Sequence, residues 1–145
     1  NGGSFARASD LLELINYHPN QWLKVSYDIN TARLAGECPV QGVKLLKDHL
    51  HCVRLSDVDE EHHPVPFTEG VVPNRKVVAA LNEMGYTGWA VYTYPKLWVP
   101  EDGRNPSELL KHACDTLYSW MQSDDDLTLQ QATECDKPEC ACAAN

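Results

Sequence analysis

The sequence predicts an α/β unit, a parallel sheet of about three strands with about four helices packed around it. Three observations carry this reading. Short runs rich in β-branched and aromatic residues alternate with segments whose apolar residues recur every three or four positions, the pattern of βαβ crossovers. The chain has 145 residues, whereas a closed eight-stranded α/β barrel takes about 250, so a complete one is not expected. No window approaches the roughly 20 consecutive apolar residues of a membrane-spanning helix.

The first helix is expected over residues 10–17, capped by Ser9, with Leu11, Leu12, Leu14 and Ile15 as its apolar face. A strand follows over residues 22–27 (WLKVSY). Pro39 suits the first position of a second helix, with Val40, Val43, Leu45 and Leu46 inside it. Residues 51–55 (HCVRL) form the second strand. Asn74 caps a third helix with Val77, Val78, Leu81 and Met84 at helical spacing, and Gly85 ends it. Residues 89–94 (WAVYTY) are the third strand, and Asn105 with Pro106 opens a fourth helix that runs to about Gln122. Three parallel strands leave two open edges, and parallel sheets are normally covered on both faces. Another copy, another chain or missing sequence is therefore expected to complete the sheet.

Residues 1–122 read as the folded domain. Residues 123–145 read as an acidic, cysteine-containing tail, starting at the SDDD break and holding Cys135, Cys140 and Cys142. Those three are expected first as free or redox-labile thiols, then as a disulfide, then as a soft-metal site, since no nearby histidine completes a tetrahedral zinc set. Cys38, Cys52 and Cys114 suit buried thiols in a reducing compartment, which points to the cytoplasm. The first residues (NGGS) lack a basic start and an apolar core, so no secretory leader is expected. With 21 acidic side chains against 12 Lys and Arg and a net charge of −9, the chain is expected to be soluble and not to bind nucleic acid.

Several side chains are candidates for chemistry. Asp28 and Asp57 end strands, where a carboxylate either lines a pocket or caps the next turn. Glu69 precedes Gly70 and is either a pocket residue or an exposed loop acid. His62 and His63 lie among Asp59, Glu60 and Glu61 like a metal cluster, but adjacent histidines followed by Pro64 read first as a solvated loop. Tyr86, Tyr92, Tyr94 and Trp98 gather near the last strand, suited either to stacking on a sugar or base or to closing the core. Lys96 and Arg104 give a weak phosphate signal.

Five short motifs then fall in a fixed order. Val25-Ser26-Tyr27-Asp28 is similar to a strand ending in D-x-x-H/N, and Ala35-Gly36-Glu37-Cys38-Pro39 to A-G-E/D-x-P. His51 to Asp57 (HCVRLSD) resembles a strand ending in H-x-K-D, Val65 to Val72 (VPFTEGVV) a P-L-G-E-G-V-V loop, and Gly85-Tyr86-Thr87-Gly88-Trp89 a G-Y-x-G entry to the last strand. From Asn1 to about Trp120 the chain thus resembles the C-terminal half of the sugar phosphate isomerase/epimerase family, whose fold is a xylose-isomerase-like TIM barrel. The resemblance implies a half-barrel and, for the intact family, aldose–ketose isomerisation or epimerisation of a sugar or sugar phosphate.

The same resemblance implies a divalent metal (Mn, Mg, Co or Zn) held by Glu, Asp, His and Glu at four strand ends. Here the first glutamate would fall upstream of Asn1. Asp28 matches the aspartate, Thr31 stands at the signature's His or Asn, Arg54 at the metal histidine and Thr93 at the last glutamate. Arg54 is a permanent cation, so an Asp28–Arg54 salt bridge is expected where the metal would sit. No cofactor is expected in this chain unless the site is completed elsewhere. The pocket candidates are Asp28, Thr31, Arg54, Asp57, Glu69, Thr93 and Tyr94, with a small sugar as possible ligand. The expectation is an isomerase/epimerase-like fragment or subunit without metal-dependent catalysis, a pseudoenzyme; the alternative is a non-catalytic binding or scaffold subunit.

Overall fold

A computed structural model describes residues 5–95 and 103–122. In chain order they form α1 (Ala8–Tyr17), β1 (Val25–Asp28), α2 (Ile29–Leu34), α3 (Pro39–Leu45), β2 (Leu50–Leu55), β3 (Asp57–Val58), β4 (Pro64–Val65), α4 (Asn74–Glu83), β5 (Trp89–Tyr92) and α5 (Pro106–Gln122). The main sheet has the order β1-β2-β5, and both pairings are parallel. The tail, with Cys135, Cys140 and Cys142, lies outside the described residues, as do Lys96 and Trp98.

The register divides the sheet into two unlike faces. Tyr27, Val53 and Ala90 stand side by side, as do Leu55 and Tyr92. Tyr27, Val53 and Leu55 are buried in one core cluster with Val43 and Leu46 from the α3 segment and Val77, Val78 and Leu81 from α4. The opposite face carries Ser26, Cys52 and Trp89 in one row and Asp28, Arg54 and Val91 in the next. Among the described residues it is the more open face: Trp89 is 68% exposed and Val91 39%. Alternate residues of a strand point to opposite faces, so this is one covered side and one more open side of a single layer.

Local chemistry explains where the elements differ from the sequence reading. The first strand begins at Val25 rather than residue 22, because Asn20 folds the chain into a turn: its side chain accepts the Trp22 N–H (2.8 Å) and its carbonyl accepts the Leu23 N–H (3.0 Å). Trp22 is left 83% exposed. A fifth helix, α2, follows β1 directly, and its signal was Asp28 itself, whose Oδ1 accepts the N–H groups of Asn30 (3.1 Å) and Thr31 (3.0 Å). The α4 helix starts at Asn74, but Asn74 is not its cap; its Nδ2 donates to Ser56 O (3.0 Å) and ties the helix back to the end of β2. Leu14, expected in the apolar face of α1, is 37% exposed, and Cys114 is exposed rather than buried.

Nor does Ser9 cap α1. The Ala8 N–H donates to both carboxylate oxygens of Glu37 (3.0 Å each), 29 residues away. Glu37 also accepts the Tyr27 hydroxyl proton at 2.6 Å, and the Arg7 guanidinium donates to Ala35 O (3.0 and 3.1 Å). A negative group at a helix N-terminus is favourable, so one carboxylate joins α1, β1 and the start of α3. Burial, reinforced by Glu37, pushes the Tyr27 phenol far above its ordinary value.

Candidate functional site

Ligands of α/β sheets bind beyond the carboxyl ends of the strands. That end of this sheet presents Asp28, Arg54 and Thr93 on the more open side. Asp28 and Arg54 are register partners on neighbouring strands. Arg54 Nε lies 3.8 Å from Asp28 Oδ2, which is the ion pair that the sequence leads one to expect. The two Asp28 oxygens are thus divided: Oδ1 caps α2 and Oδ2 faces the guanidinium. Thr93 extends the ladder past β5, its N–H donating to Leu55 O at 2.8 Å and its hydroxyl to the same oxygen at 3.4 Å. Thr31 is half-buried in the first turn of α2, and Tyr94 is half-buried after Thr93.

Asp57 and Glu69 belong to a different construction. Asp57 is only 3% exposed. Its Oδ1 accepts the N–H groups of Val58 (3.1 Å) and Val72 (3.2 Å), and its Oδ2 those of Thr68 (3.0 Å) and Gly70 (3.2 Å). The carboxylate is the hub around which the loop between β2 and α4 is wound, not a group open to a ligand. Burial pushes its pKa up, while the four amides pull in the opposite direction. Gly70 is required by space: a Cβ there would lie 2.2 Å from Asp57 Oδ1 and 2.3 Å from Val58 O. Thr68 sits at φ +76°, a strained setting for a β-branched residue, held by Asp57 and by His112 Nε2 at 3.1 Å from its hydroxyl oxygen.

At the rim of the same loop, Glu69 pairs with Arg104. The suggested phosphate ligand Arg104 is therefore engaged with a carboxylate. Tyr92 packs edge-on against Phe67 with ring centroids 5.3 Å apart, and burial pushes its phenol up to about 12. Tyr86 lies at the other end of the sheet, its hydroxyl donating to Trp89 O (3.1 Å). The expected aromatic gathering is thus split between the two ends.

His62 and His63 lie in the turn joining β3 and β4. Asp59 Oδ1 accepts the N–H groups of Glu61 (3.0 Å) and His63 (2.8 Å), and His63 is 3.5 Å from both Asp59 and Glu61 carboxylates. Among the described residues, no group of three or more His, Cys, Asp and Glu is arranged to hold a metal ion. At the strand ends the donor chemistry is equally unsuited to one. A dication there would meet one carboxylate already bound to two amides, a permanently charged guanidinium and a threonine hydroxyl.

The family model for the xylose isomerase-like TIM barrel matches residues 1–120. The chain belongs to that family. In a closed barrel alternate residues of each strand point inward, so the more open face with Asp28, Arg54 and Trp89 corresponds to the barrel interior. Among solved structures, the chain is similar to a xylose isomerase domain protein from Planctomyces limnophilus, with a TM-score of 0.64, 20% identity, and coverage of 80% of this chain and 44% of that one. It is also similar to a D-tagatose 3-epimerase-like protein, with a TM-score of 0.53, 21% identity, and coverage of 79% and 43%. The chain spans less than half the length of either. No curated protein matches it by sequence. No helix among the described residues is long and apolar enough to cross a membrane.

Sequence reasoning found the Asp28–Arg54 pair because the motif register aligned the two strand ends. It quoted Glu37 within a motif without assigning its work, although a glutamate just before a helix-opening Cys-Pro offered the signal. For Asp57 it offered the capping of the next turn, which holds, but not the reach of that cap as far as Gly70 and Val72. The structure also separates the two functions of Asp28. Asp28→Ala is expected to cost about 1–2 kcal/mol through the lost cap, and Arg54→Ala less than about 1 kcal/mol because the pair is half in solvent. Urea unfolding of both variants checks this; equal losses would show that the ion pair, not the cap, carries the stabilisation.

Proposed function

We propose that the chain contributes three parallel strands and their covering helices to a barrel of the sugar or sugar phosphate isomerase/epimerase type, and that its own strand-end site does not support metal-dependent catalysis. The single observation carrying this is the Asp28–Arg54 pair. A carboxylate that already satisfies two helix amides and a cation has little left to offer a dication, and the adjacent guanidinium cannot lose its charge.

Calorimetric titration of the 145-residue chain with Mn²⁺ tests the proposal. Wild type and Asp28→Ala are expected to give the same non-saturating response. Saturable micromolar binding by wild type that disappears in Asp28→Ala would overturn it.

A second reading is favoured by the exposed face and by the edges of β1 and β5, which pair with no further strand among the described residues: a non-catalytic binding or scaffold subunit whose sheet is completed by another copy or another chain. Light scattering tests completion by a second copy, which expects the purified chain to run above the mass of one chain.

A further inference from the structure

The side chains at the strand ends do not suit a dication, and the mismatch itself points to a different ligand. Three neighbouring strands each place one polar side chain there. Asp28 closes β1, Arg54 is its register partner on β2, and Thr93 follows β5 with its N–H on Leu55 O at 2.8 Å. Val91 is the register partner of Arg54 on the other side, and Thr93, two residues on, shares its face. The ladder fixes this alignment whatever covers the face. In a barrel the row stands at the carboxyl ends of the strands, where ligands bind.

The donors and acceptors of the row define what it can hold. Arg54 Nε stands 3.8 Å from Asp28 Oδ2, beyond the roughly 2.7–3.2 Å of a hydrogen bond. The pair is therefore coulombic, and the planar fork of the guanidinium is not closed on that carboxylate. Such a fork takes a further carboxylate through two parallel N–H···O bonds. Asp28 Oδ1 is spent on the Asn30 and Thr31 amides, whereas Oδ2 receives no amide among the described residues. What is too little for a dication is enough for the proton of one alcohol. The Thr93 hydroxyl donates to Leu55 O over a long 3.4 Å, and its oxygen keeps lone pairs for a second alcohol. One guanidinium, shared with Asp28, offers less than a phosphate dianion needs, and Arg104 at the rim is already paired with Glu69. A single planar carboxylate on a hydroxyl-bearing chain matches this set.

Resting on the reading that this face lines a barrel, we propose that the strand ends bind a sugar acid, with its carboxylate on the Arg54 fork and its hydroxyls on Asp28 Oδ2 and Thr93. NMR titration of the ¹⁵N-labelled 145-residue chain with D-gluconate, in the presence of EDTA, tests it. Gluconate is expected to shift the Arg54 Nε–H and Thr93 N–H signals saturably at millimolar concentration. D-Sorbitol (the same carbon chain with an alcohol for the carboxylate), acetate and inorganic phosphate are each expected to bind at least tenfold more weakly. Arg54→Lys keeps the charge but loses the fork, and is expected to raise the Kd for gluconate about tenfold; Thr93→Val is expected to raise it several-fold. Lys24→Gln, at a strand entry, is expected to leave it unchanged. Far-UV circular dichroism of Arg54→Lys is expected to match wild type, and Arg54→Gln is the second probe if it does not. No saturation by millimolar gluconate, sorbitol, acetate or phosphate binding as tightly as gluconate, or wild-type affinity in Arg54→Lys would each overturn the assignment. The Mn²⁺ titration keeps the two proposals apart. Wild type silent to both gluconate and Mn²⁺ removes the sugar acid alone, whereas saturable Mn²⁺ binding that is lost in Asp28→Ala removes the reading beneath it.

Discussion

Asp57→Ala is expected to lower the free energy of unfolding by about 3–5 kcal/mol, a large share of the roughly 5–15 kcal/mol that holds a domain together. The reason is the number of groups that depend on one side chain. Four backbone N–H groups, of Val58, Thr68, Gly70 and Val72, lose their acceptor at once, and the bonds from Val58 and Val72 are buried. Each buried donor left unmet costs about 1–3 kcal/mol. The loop would also lose what holds Thr68 at its positive φ. Asp57→Asn keeps one oxygen and should fall between wild type and alanine. Urea unfolding measures both, and a loss below about 1 kcal/mol for the alanine variant would remove Asp57 from its central place.

The pH dependence of that loss has a definite sign. Burial raises the folded-state pKa of Asp57 above its ordinary 3.8. Its titration therefore contributes stability that is fully present below that ordinary value and is lost as pH rises through the folded pKa. The difference between wild type and Asp57→Ala should be larger near pH 4 than near pH 7. The reverse slope would mean that the four amides outweigh burial.

Gly42→Ala is expected to destabilise by about 3 kcal/mol, although glycine to alanine inside a helix ordinarily gains about 1 kcal/mol. The added Cβ would lie 1.9 Å from the Tyr27 hydroxyl oxygen and 2.6 Å from its ring carbon Cζ. Tyr27 is 1% exposed and cannot swing into solvent. Displacing its hydroxyl would also break the bond to Glu37, and with it the arrangement that receives the Ala8 amide. The double variant Gly42→Ala/Tyr27→Phe should be less destabilised than the sum of its parts, because removing the hydroxyl relieves the nearest clash. Strict additivity in thermal or urea unfolding would place the clash elsewhere.

These two positions also mark how far the sequence alone could be read. Alternation of short β-branched runs with helical periodicity was enough for β1, β2, β5 and the four longer patterns. Periodicity is a property of neighbours along the chain, and those elements are fixed by it. The six-residue α2 is too short to show a period, so only its cap could have revealed it. The loop from Ser56 to Pro73 has no period at all. Its shape comes from one buried carboxylate and one glycine that have meaning only once they are brought together, and the hairpin of β3 and β4 arises inside it. Asp28 and Arg54 were legible as a pair because the family's motifs set both near neighbouring strand ends, and they are register partners in the sheet.

The asymmetry of the sheet bears on how these 145 residues behave when produced by themselves. Among the described residues, β1 and β5 each pair with a strand on one side, and Trp89 and Val91 are exposed on β5. Such a molecule is adhesive by construction. Produced as the 145-residue piece, it is expected to self-associate unless that surface is covered.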